Sequence, residues 1–198
     1  MNRMACFTRA PAIFLSLLLF TGAIHAEVPA PLIAGVFTPA RLAPDFSLRG
    51  SDGSELKLSG YRGKVVLLSF GYTSCTEVCP VTLAILATAR KQLGAAASQV
   101  QVIDVTVDPE RDNAQRMHKF LRAFDPSFVG GTGTPQQLAA VRSDYGITVS
   151  QKMPIPGGYA LAHSSYIYLI DRDGKLRALM PFGHTADDFV HDLRLLLN

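Results

Sequence analysis

The apolar run Val65–Tyr72, with paired valines at its start, predicts a central strand buried on both faces. Spacing then changes to that of a helix. From Pro80 to Leu93, Val81, Ile85 and Thr88 mark one face, Leu83 and Leu86 widen it, and Gly94 stops it. Val100–Val107 predicts a second buried strand. Asp112, with Gln115 three residues on, reads as the cap of a helix carrying Met117, Leu121 and Phe124. Phe128–Val129 is a short strand candidate, Gly130–Thr134 a loop and Pro135–Tyr145 a helix. Ile147–Ser150 is another strand candidate, and Lys152–Leu161, with Pro154, Pro156, Gly157 and Gly158, an exposed loop. Ser164–Ile170 and Lys175–Met180 flank an Asp-Arg-Asp-Gly turn as a hairpin. A last helix follows Thr185, with Asp187 and Asp188 in its first turn and Phe189, Leu193 and Leu196 facing the core.

Nearer the N-terminus, Asp45–Leu48 and Leu56–Leu58 alternate around Asp52-Gly53, a small hairpin. The order is hairpin, βαβα, then ββα. That predicts an α/β fold of thioredoxin type: a mixed central sheet with helices on both faces and an N-terminal hairpin. The strand-to-helix loop after Tyr72 then lies at the carboxyl end of a central strand, where ligands bind.

Residues 1–26 have a different character. Arg3 and Arg9 precede a 13-residue apolar stretch, Ala12–Ile24, no acid occurs before Glu27, and Ala26 offers a small residue for cleavage. This is a secretory signal pattern, too short for a membrane span of roughly 20 residues. Cys6 precedes the apolar stretch, so a lipoprotein cleavage site is not expected. Residues 27–43, with Pro29, Pro31 and Pro39, read as a linker, and 44–198 as one domain. The expected location is the periplasm; the alternative is an uncleaved signal anchoring the chain to the inner membrane. Without Arg3 and Arg9 the chain has 17 basic and 16 acidic residues, a net charge of +1. With no basic patch interleaved with aromatics, nucleic acid is an unpromising partner.

Beyond residue 26 the only cysteines are Cys75 and Cys79, in Thr-Ser-Cys-Thr-Glu-Val-Cys-Pro. Export brings them to an oxidising compartment, where two cysteines pair or bind metal. A disulfide closing so short a loop would add little stability, so a structural staple explains them poorly. Cys79 sits at the expected helix start, where the helix dipole and free amides favour a thiolate. The pair could chelate one soft ion or close as a redox-active disulfide. Two thiolates plus an imidazole suit copper, whereas zinc usually takes four ligands. Of the histidines, His118, His184 and His191 read as exposed or structural. His163, between the Pro/Gly loop and the strand Ser164–Ile170, is the leading third ligand, because that position packs near the cysteines in a thioredoxin-type fold. Met153 is soft enough for copper but lies in the loop.

Five segments together resemble the Sco/SenC family: Pro44–Leu48, Arg62–Thr73, Cys75-x-x-x-Cys79-Pro80, Asp108-Pro109-Glu110-Arg111-Asp112 and His163-Ser164. The resemblance runs from about Ala43 to the C-terminus. It implies a thioredoxin-like copper-binding factor for cytochrome c oxidase assembly. Cys75 and Cys79 would be thiolate ligands of a copper ion, Cu(I) or Cu(II), His163 its imidazole ligand, and Asp108 a neighbour of the site. Many members have proline after the first cysteine, where this chain has Thr76. The implied partner is a copper-accepting oxidase subunit, together with a copper donor and a thiol reductant.

Three functions compete: a copper metallochaperone, which is not a turnover enzyme; a thiol–disulfide oxidoreductase keeping the acceptor's cysteines reduced; and a peroxidase. The C-x-x-x-C spacing, in place of C-x-x-C, and His163 favour the first.

Overall fold

A computed structural model of the chain describes residues 31–198. The expected signal at 1–26 lies outside the described residues. The strands are β1 (Gly35–Leu42), β2 (Ser47–Gly50), β3 (Glu55–Lys57), β4 (Val65–Gly71), β5 (Val100–Thr106), β6 (Val129–Thr132), β7 (Met153–Ile155), β8 (Gly158–Ala160), β9 (Tyr166–Ile170) and β10 (Lys175–Pro181). The helices are α1 (Val78–Leu93), α2 (Ala114–Arg122), α3 (Pro135–Asp144) and α4 (Ala186–Leu197).

Eight strands form one mixed sheet in the order β1-β10-β9-β4-β5-β6-β2-β3, in which β4, β5 and β6 are parallel. Every residue of β4 and β5 is buried. Alternation along β4 sends Val66, Leu68 and Phe70 into a core shared with Leu138 and Val141 of α3. Val65 and Leu67 point the other way, into a core shared with Leu83 and Leu86 of α1, Leu121 of α2 and Phe189 and Leu193 of α4. With helices on both faces, a strand needs no polar side, hence its run of apolar residues. Gly94, at φ +58°, ends α1 in a conformation that L side chains rarely adopt.

Several expectations need correction. The linker expected at 27–43 includes β1, an edge strand paired antiparallel with β10. Just before it, the amides of Ile33 and Ala34 donate to the buried Asp192 carboxylate on α4 at 2.8 and 2.9 Å. Strand β1 hides from pattern reading because nearly all its residues are exposed, and Pro39 lies in its irregular stretch. Asp112 does not cap α2. Asn113 does, accepting from the Arg116 amide, while Asp112 is buried. Val81 is 48% exposed, and the buried face of α1 carries Cys79, Leu83, Leu86, Ala89 and Leu93. The Gly130–Thr134 loop is partly β6, and Lys152–Leu161 contains the separate β7–β8 hairpin. In place of a strand at Ile147–Ser150 there is a single bridge, Val149 to His163.

Candidate metal centre

Chain direction brings β4 to Gly71 at its carboxyl end, and α1 starts seven residues later. The intervening loop is tied down from the α2 side. The Thr73 amide and hydroxyl both donate to Asp112, at 2.9 and 2.5 Å, and the Thr106 hydroxyl donates to the same carboxylate at 2.7 Å. Arg116 donates from Nε to Thr73 Oγ1 at 2.7 Å and from its terminal nitrogen to Ser74 Oγ at 2.9 Å. Cys75 follows directly in this anchored loop.

The two sulfurs are unequal. Cys75 is half-buried and Cys79 is 7% exposed. The Cys79 amide at the start of α1 donates to Cys75 Sγ at 3.4 Å. Glu77, the residue capping α1, makes no side-chain cap bond. The Cys75 sulfur thus takes up a free amide of the helix start. A hydrogen bond from the Cys79 thiol lowers the Cys75 pKa strongly; burial opposes this, and His163 and the Cys79 and Glu77 amides assist. The same thiol–thiolate contact, burial and the Asp104 carboxylate raise that of Cys79. The expectation that the helix start favours a thiolate at Cys79 is therefore reversed. Because α1 begins at Val78, the Cys79 amide lies in its first turn and donates back to the Cys75 sulfur.

His163 stands against Cys79, with Nε2 3.5 Å from Sγ. Its Nδ1–H donates to the Ser164 carbonyl at 2.9 Å, which leaves the Nε2 lone pair toward the sulfur. Tyr72 packs edge-on against the ring, with centroids 5.9 Å apart. Burial pushes the imidazole pKa down, but the Cys75 thiolate, the Ser164 carbonyl and Asp104 outweigh it, so the net shift is upward.

Asp104 escaped sequence reading. It lies on β5 beside Ser69 of β4, whose hydroxyl donates to it at 2.6 Å. It is 4% exposed, and burial pushes its pKa up to about 6. Gly71 makes room for this arrangement: a Cβ there would stand 3.3 Å from Cys79 Sγ and 3.4 Å from Asp104 Oδ1. An acid in the middle of a buried strand was the available signal.

Asp108 is buried but does not touch the sulfurs. It accepts from Arg111 Nε at 2.5 Å and from the Tyr159 hydroxyl at 2.7 Å. Arg111 in turn stacks over Tyr159 and faces Tyr72 across 5.6 Å, so Asp108 reaches the site through those residues. His184 and His191 pair with Asp188 and Asp192 on α4, and His118 is on α2; none lines the cysteine cleft. That cleft is open and lined by Tyr72, Cys75, Met153, Ile155, Leu161 and His163, among others. Among the described residues, no three His, Cys, Asp or Glu side chains already form a metal cluster. The donors nonetheless fit a soft ion: two sulfurs, one already disposed to ionise, and one imidazole nitrogen with a free lone pair.

The sequence and fold have described relatives. A family model for SCO1/SenC matches residues 36–198. The structure of Bradyrhizobium japonicum ScoI with copper bound is 33% identical, with a TM-score of 0.72 over 79% of this chain and 99% of that one. The solution structure of apo Sco1 from Thermus thermophilus is 35% identical, with a TM-score of 0.75 over 89% of this chain and all of that one. A putative copper-binding protein of Stutzerimonas stutzeri is 30% identical over 138 residues, 69% of this chain and 68% of its own. The fold is thioredoxin-like, as expected. The family match begins not near Ala43 but at the second residue of β1 and extends to the end of the chain, and so takes in all of the sheet but Gly35: the chain belongs to the SCO1/SenC family.

Proposed function

We propose that this chain is a copper-binding protein of respiratory oxidase assembly, which holds one copper ion on Cys75, Cys79 and His163 and hands it to an oxidase subunit. One observation carries the reading. His163 commits Nδ1 to Ser164 and turns Nε2 toward Cys79 Sγ at 3.5 Å. Copper is the cargo, and the chain's own work is to supply soft donors from a braced loop. A copper donor and a thiol reductant complete the set of partners. Residues 1–26 act as an export signal, the folded domain takes in Ile33 and Ala34 ahead of β1, and the protein works in the periplasm. No helix among the described residues is long and apolar enough to cross a membrane.

Anaerobic titration of the reduced protein with Cu(I), against a competing chelator, tests the assignment. One ion should bind per chain. Cys75→Ser and Cys79→Ser should each abolish tight binding, because one thiolate and one imidazole make a poor soft site. Full affinity in Cys79→Ser would overturn the ligand set.

A second reading, thiol–disulfide exchange with the acceptor's cysteines, is favoured by the unequal sulfurs. An accessible low-pKa thiol beside a buried high-pKa one suits attack followed by resolution. His163→Ala separates the two: copper delivery should fail while exchange with small disulfides persists. Normal oxidase assembly with His163→Ala under copper limitation, and failure with Cys75→Ser, would select the redox reading.

A further inference from the structure

Among the described methionines, Met117 and Met180 are at most 1% exposed, whereas Met153 is 44% exposed. Met153 opens β7, opposite Ala160 of β8, and lines the same cleft as Cys75 and His163. The hairpin that carries it is braced. Lys152 Nζ donates to Glu110 at 2.5 Å, Arg111 to the Tyr159 carbonyl at 2.9 Å, and the Tyr159 hydroxyl to Asp108 at 2.7 Å. The thioether is therefore held on the cleft wall and not on a free loop.

Burial grades inward from there. Met153 is open to solvent, Cys75 is half-buried, and Cys79 is 7% exposed. An ion arriving from solvent meets the thioether and the Cys75 sulfur before it meets Cys79. A thioether is soft and neutral and has no proton to lose, so it favours Cu(I) and lets go of it readily.

We propose that Met153 is a copper(I)-capture ligand, which takes Cu(I) with Cys75 at the cleft mouth and passes it inward to Cys79 and His163. This rests on the copper reading above. Transfer is ligand exchange without electron transfer. The bond from copper to the Met153 sulfur breaks as bonds to Cys79 and His163 form, and the Cys79 thiol proton goes to solvent.

The test uses the reduced full chain under anaerobic conditions. Stopped-flow uptake of Cu(I) from a colorimetric chelator should slow about tenfold in Met153→Leu, the effect of one weak copper–thioether bond no longer lowering the uptake barrier. The equilibrium affinity should change less than about threefold, because the final ligands remain. Leucine keeps the size and apolarity of the side chain, so a residue serving only as an apolar wall would show no effect. In His163→Ala with 13C-methyl methionine, Cu(I) should stay at the capture position and shift the Met153 methyl resonance, identified by its loss in Met153→Leu. The buried Met117 and Met180 methyls should not move. An unchanged uptake rate or a stationary Met153 resonance overturns the proposal. Wild-type protein that takes up no Cu(I) would bring down the copper reading and this proposal with it.

Discussion

Replacing Asp104 with asparagine should stabilise the reduced protein at neutral pH, and the gain should grow as pH rises. The carboxyl is 4% exposed and has a single strong hydrogen bond, from Ser69 at 2.6 Å. Burial is the chief reason that its pKa rises from 3.8 to about 6; Asp112 and Cys75 add to the rise, while Ser69 and His163 oppose it. Between those values the folded state binds more protons than the unfolded chain. Stability therefore falls as pH rises through the window, and the whole cost is present above about pH 6. A rise of roughly two pH units at 1.36 kcal/mol each gives a total near 3 kcal/mol, of which about 2 kcal/mol falls between pH 4.5 and 8. Asparagine is nearly isosteric, can still accept from Ser69 and does not ionise.

Urea unfolding of both proteins at pH 4.5 and pH 8, with reductant present, gives the comparison. The stability difference, Asp104→Asn minus wild type, should widen by about 2 kcal/mol toward pH 8. Groups that titrate alike in both proteins cancel in that difference. A difference that stays constant, or narrows, would refute the argument that Asp104 is held in the sheet at a cost.

Two further outcomes follow from the loop and its sulfurs. Alkylation of Cys75 by iodoacetamide should be nearly as fast at pH 6 as at pH 8, where an ordinary thiol would speed up about 75-fold from its thiolate fraction alone; an ordinary pH profile would contradict the helix-start placement of its sulfur. Asp112→Ala leaves the Thr73 and Thr106 donors unpaired and should cost about 3–5 kcal/mol, read as a lower urea midpoint with unchanged slope; a loss below about 1 kcal/mol would show that the loop does not depend on this anchor.

The residues that sequence reading placed well are those whose burial leaves a period. Strand β4 is covered on both faces and reads as an apolar run, and the β2–β3 hairpin buries Leu48 and Leu56 by alternation. Helix α4 is capped by Thr185 with Asp188, and it buries Phe189 and Leu193. What stayed hidden depends on tertiary partners. Strand β1 is an edge with almost no buried side chain, so it has no pattern to find. Asp112 and Asn113 are both good caps by type; only the arrival of Thr73 and Thr106 draws Asp112 inward and leaves the cap to Asn113. Pro154, Pro156 and the two glycines made the β7–β8 hairpin look like plain loop, although its stability comes from Arg111 and Asp108 elsewhere in the chain. The candidate site was legible as residue types, Cys75, Cys79 and His163, which the fold brings to one place. Its polarity was not, because which sulfur receives the helix amides depends on the residue at which α1 starts.

That polarity bears on both proposed functions in the same way. Whether the pair chelates copper or closes as a disulfide, Cys79 must give up its proton, and its surroundings on balance resist, the Tyr72 backbone alone assisting among the main influences. It is buried, a Cys75 thiolate beside it disfavours a second negative charge, and the Asp104 carboxylate lies across Gly71 from it. A lone thiolate can be kept in water without such surroundings; a second one cannot form beside the first until something compensates its charge. A soft cation does so by bonding both sulfurs, and a disulfide does so by removing the charge altogether. The resting pair is thus one thiolate and one thiol, held short of either product. The buried acid, which weakens the fold, keeps it there by making an uncompensated second thiolate the least favourable state of the site.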